Sequence, residues 1–89
     1  MSATDVIGIE RLEALAKDSV TAAKALEGVA GIRASNDESK VRVAYVRFLA
    51  KLSLGESDAC TELKAVSAIA PNTSKASVVA RNLSETCTD

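Results

Sequence analysis

The chain has 89 residues, a formal net charge of −1 from 11 basic and 12 acidic residues, and no histidine. That length suits one small domain with a modest core. The charge balance speaks against a nucleic-acid binder, which usually carries a strongly basic domain, and no apolar run reaches the ~20 residues needed to span a bilayer.

The first helix is expected over residues 5–26, capped by Ser2 or Thr4 with Asp5 in its first turn. Ile9, Leu12, Leu15, Ala16, Ser19, Ala22, Ala23 and Leu26 share one side at helical spacing. Glu10, Glu13, Lys17, Asp18, Thr21 and Lys24 share the other, with Glu13 and Lys17 a favourable i,i+4 pair. Gly28 and Gly31 loosen or end this helix.

The second helix opens at "SNDE". Ser35 and Glu38 fit a capping box, and Asn36 or Asp37 can serve as the cap instead. It runs to Leu54, where Gly55 supplies the stop. Val41, Tyr45, Phe48, Leu49 and Leu52 form one broad apolar arc. Val43, Val46 and Ala50 form a second arc roughly opposite. Lys40, Arg47 and Lys51 make the clearest polar stripe. A helix apolar nearly all round is covered on most sides. Either it is central in an irregular bundle, or something outside the chain covers one arc. Phe48, Leu52, Leu12 and Leu63 are the expected core anchors.

The third helix starts after Ser57, with Asp58 in its first turn and a stripe of Ala59, Leu63, Val66 and Ala70. Pro71 ends it, because proline disfavours helical geometry in the residue before it. Asn72 or Thr73 caps the fourth, whose narrow face is Ala76, Val79, Ala80, Leu83 and Cys87. No strand signal competes. The fold class expected is all-α, with four short antiparallel helices in a solenoid-like repeat or an irregular four-helix bundle over residues 1–89.

Without histidine, the commonest general base and metal ligand are missing. No catalytic residue, metal site, cofactor or small-molecule substrate is inferred. Cys60 and Cys87 come roughly level on either side of Pro71, which permits a disulfide; two small buried thiols in a reducing cytosol are the blander reading. The N-terminus lacks the pattern of a secretory signal, which makes a cytoplasmic protein the expectation. "NTS" and "NLS" at Asn72 and Asn82 match the glycosylation pattern by chance on that view. The second arc supplies the expected contact face: Val43, Val46 and Ala50, flanked by Arg47 and Lys51, for a protein partner or a second copy.

"NDESKVRVAYVRFLAKLSLGESDA" resembles the helices of armadillo and HEAT repeats. Those helices have an acidic first turn, then "VR", small and branched apolar residues, and a late leucine. Asp37, Val41, Arg42, Ala44, Leu49 and Leu52 stand at these positions, and "SKASVVARNLSE" has a similar pattern. Within that class the stretch is most similar to a segment of the UCS-domain myosin chaperones, covering about a quarter of the chain. Tyr45 and Arg47 depart from the pattern. The resemblance implies a solenoid scaffold that binds proteins, here as about two repeats. A small stand-alone regulator or inhibitor, folded as a bundle or homodimer, is the alternative.

Overall fold

The computed structural model describes residues 3–87, and side chains from Gly8 onward. It is all-α. The described residues form five α-helices: α1 (Ala3–Ala16), α2 (Ala22–Ala30), α3 (Asp37–Ser53), α4 (Ala59–Ala65) and α5 (Ala76–Glu85), with a 3-10 turn at Ala70–Asn72 before α5. No strand occurs among the described residues.

The expected first helix is two helices. α1 ends at Ala16, and α2 begins at Ala22. Between them the Asp18 carboxylate accepts a 2.9 Å hydrogen bond from the Val20 N–H, and the Thr21 hydroxyl donates to the Leu15 carbonyl at 2.6 Å. Short polar side chains bonding to nearby backbone replace the helical ladder here. The break lets α2 fold back on α1. Gly28, inside α2 rather than at its end, makes the close approach: a Cβ there would meet the Leu12 methyls, with Cδ1 at 3.1 Å. Gly31 terminates α2. Ser2 lies outside the described residues, and Thr4 falls within α1 rather than before it.

Asn36 caps α3. Its Oδ1 accepts from the Ser39 N–H at 2.9 Å, and its own N–H donates to Ser39 Oγ at 3.2 Å. This reciprocal pair explains why Ser39 is a fully buried polar residue. At the other end Gly55 adopts φ +74°. Its N–H donates to the Leu52 carbonyl at 3.1 Å, and the Glu56 N–H donates to the Lys51 carbonyl at 2.9 Å. These two bonds complete the left-handed stop expected at this glycine.

α4 is shorter than its apolar stripe suggests. It stops at Ala65, and the chain continues in tight turns to the 3-10 turn that contains Pro71. The Ser67 hydroxyl bonds the Lys64 carbonyl at 2.9 Å, competing with the ladder where it fails. Asp58, not Ser57, directly precedes α4, and Lys75 directly precedes α5. Thr73 still works locally, accepting from the Lys75 N–H at 3.3 Å.

α3 divides the molecule. On one side α1 and α2 pack against it and each other, forming a core of Ile9, Ala16, Ala22, Ala25, Val29, Val43, Val46 and Ala50. On the other, α4 and the 3-10 turn pack against α3, and α5 rests on both. Their core holds Val41, Phe48, Ala59, Leu63, Ala70, Val79 and Cys87. Leu49 touches both cores. The result is a slab, with Cα extents of 36 × 32 × 16 Å. Helix α3 is apolar nearly all round because it is the wall between two cores.

Candidate functional site

Val43, Val46 and Ala50 do not form a surface. Val46 and Ala50 have no exposure, and Val43 is buried with them in the core shared by α1, α2 and α3. The expectation of an exposed second arc counted too few helices. The break at residues 17–21 supplies the extra one, and α2 closes over this arc. Leu52, by contrast, was an expected anchor and stands 40% exposed, while Phe48 and Leu63 are fully buried and Leu12 is half-buried.

Of the basic stripe, Lys40 is exposed, while Arg47 and Lys51 are half-buried. Lys51 Nζ lies 2.8 Å from Glu62 Oε1 and 2.9 Å from Asp58 Oδ2. The hydrogen bonds that Lys51 donates, to Glu62 first and then to Asp58, hold its pKa well above the ordinary lysine range. The same bond to Lys51 lowers the Asp58 carboxyl. Lys51 therefore locks the turn between α3 and α4. Arg47 is half-buried, and its Nε is buried without a hydrogen-bond partner. Cys60 and Cys87 are joined as a disulfide, with Cα atoms 5.6 Å apart.

Two polar clusters tie α5 to distant helices. Glu38 accepts from the Ser74 N–H at 2.9 Å, bonds the Ser74 hydroxyl, and lies 3.2 Å from Arg42 Nε. The Ser74 hydroxyl is the main cause holding its carboxyl below the usual value, opposed by burial. Lys75 Nζ lies 3.3 Å from Glu13 Oε1 and 5.2 Å from the Tyr45 ring centre. Burial first, then the Glu13 charge, pushes the Tyr45 hydroxyl pKa up. Glu13 was expected on a wet face beside Lys17. It is instead mostly buried, and its ion pair is with Lys75 from the other end of the chain. No local pattern announces a pairing across 62 positions.

Among the described residues three large apolar side chains remain in water: Val20 at 83%, Leu54 at 41% and Leu52. Leu52 and Leu54 lie at the end of α3, and Val20 lies between α1 and α2. The Ser53 hydroxyl donates to the Ala16 carbonyl at 2.6 Å, which holds the end of α3 to the end of α1. Leu52 and Leu54 flank Ser53, and Val20 sits in the turn that follows α1.

No family model, curated protein or solved structure matches the chain. The site is therefore defined by its geometry alone: three solvated aliphatic side chains beside a tied pair of helix termini. Among the described residues no cluster of three or more His, Cys, Asp or Glu is placed to hold a metal. No helix among them is long and apolar enough to cross a membrane.

Proposed function

We propose that this chain is a non-catalytic protein-interaction module, of armadillo or HEAT-like character, whose contact face is formed by Val20, Leu52 and Leu54. The exposure of Val20 carries the reading. A β-branched aliphatic residue left 83% in water is a poor solution for the monomer. It is a good one for a surface that a partner covers. The partner is a protein that presents its own apolar side chains. Lys51 plays no direct part in this contact, since it is engaged by Asp58 and Glu62.

The test is site-specific photo-crosslinking in cells. A photoreactive residue is placed at Val20, at Leu54, and at the exposed Ala80 of α5 as a control. Adducts of one defined mass from positions 20 and 54, absent from position 80, support the reading. An adduct of twice the chain mass identifies the partner as a second copy. Equal or absent labelling at all three positions removes the proposal.

A further inference from the structure

We propose that the Cys60–Cys87 bond is a redox-operated catch: its reduction frees α5 from the rest of the molecule while α1, α2 and α3 stay folded. α5 has 10 residues, fewer than the ~12–15 at which an isolated helix is even marginal in water. It must therefore be held by tertiary contacts. Val79 is its one fully buried side chain, and Ala80, Arg81, Ser84 and Glu85 face solvent. Its start is tied by Ser74 to Glu38 and by Lys75 to Glu13. Its far end is tied by the disulfide to the first turn of α4.

The two cores respond differently to loss of that bond. Every residue of the first core, including those packed against it, lies between Ile9 and Ala50. None comes from α4 or α5. The second core takes Val79 and Cys87 from the segment that the disulfide holds. Opening hinges at Ser74 and Lys75, whose ties survive reduction, and uncovers the faces of α4 and the 3-10 turn on which α5 rests.

The chemistry is thiol–disulfide exchange. Cys87 is 7% exposed and Cys60 is half-buried, so Cys60 Sγ is the accessible sulfur. An external thiolate attacks it, and the electron pair of the broken S–S bond leaves on Cys87 Sγ, which takes a proton. A second thiol attacks the external sulfur of the mixed disulfide. Cys60 departs as a thiolate and is protonated. The two cysteines gain two electrons and two protons, and the external thiols leave as one disulfide. A low-molecular-weight disulfide reverses the sequence.

The experiment is nitrogen-15 NMR with amide exchange on the full chain, with and without dithiothreitol. On reduction, residues 76–87 should lose about tenfold or more of their protection and move to random-coil positions. Residues 41–50 should keep their dispersed resonances. The Cys60→Ser, Cys87→Ser double variant should show the same state without reductant, and glutathione disulfide should restore the docked spectrum of the reduced wild type. A reduced protein or double variant that keeps α5 protected overturns the proposal. So does collapse of every resonance together, which would make the bond a staple of the whole fold.

Discussion

Glu38 shows how one side chain serves two helices. It sits in the first turn of α3, where a negative charge is favoured, and its oxygens reach Ser74 ahead of α5. Because its folded pKa is depressed, the stability it contributes is fully present above 4.5, its unfolded value, and is lost as pH falls through the lower folded value. The side chain is 37% exposed, and screening keeps the effect below ~1 kcal/mol. Glu38→Gln should flatten the acid limb of stability, read as urea midpoints from neutral pH to about pH 3. An unchanged slope in the variant would place the acid sensitivity elsewhere, with Asp58 the next carboxylate to examine. The sequence pointed to Glu38 as half of a capping box with Ser35. Helix start and acidic first turn were legible there. The partner was not, because Ser74 is brought close only by the fold.

At the scale of elements, glycine gives two opposite expectations. Gly55 ends α3 at φ +74° with open space around the missing side chain, so Gly55→Ala costs only backbone strain, about 1–2 kcal/mol. Gly8 lies within α1, also with open space, and Gly8→Ala should stabilise by up to ~1 kcal/mol. Thermal melts of the two variants should shift in opposite directions; shifts of the same sign would contradict both assignments. The stop at Gly55 and the start at "SNDE" were readable because their residues act locally. The break between α1 and α2 was harder to see, since residues 17–21 contain no glycine or proline. Its signal was Asp18 and Thr21, whose side chains bond backbone two and six positions away. Likewise α4 gave way at Ala65 despite a stripe that continues to Ala70, because periodicity reports which residues would share a face, not whether the ladder persists.

For the whole molecule, the two apolar arcs of α3 were legible and their meaning was not. An all-round apolar helix says that it is covered. It does not say whether the cover belongs to the same chain. Here α2 supplies it, and Val46→Glu tests the point. A carboxylate at a position with no exposure, packed among aliphatic side chains, costs several kcal/mol. Against the ~5 kcal/mol at the lower end for small domains, the variant should lose its far-ultraviolet helical signal. A variant that stays helical, and only changes its assembly state, would return Val46 to the surface.

The slab with a shared wall also has a consequence in time. Synthesis runs from the first residue to the last, and α1, α2 and α3 are made before any of α4 or α5 exists. At ~5–20 residues per second, the stretch from Ser53 to Cys87 takes roughly 2–7 s to appear. Over that interval the segments that cover Val41 and Phe48 are still being made, while those that cover the other side of α3 are complete. By order of synthesis, the flank of α3 that α4 and the 3-10 turn cover is closed later than the flank that α1 and α2 cover.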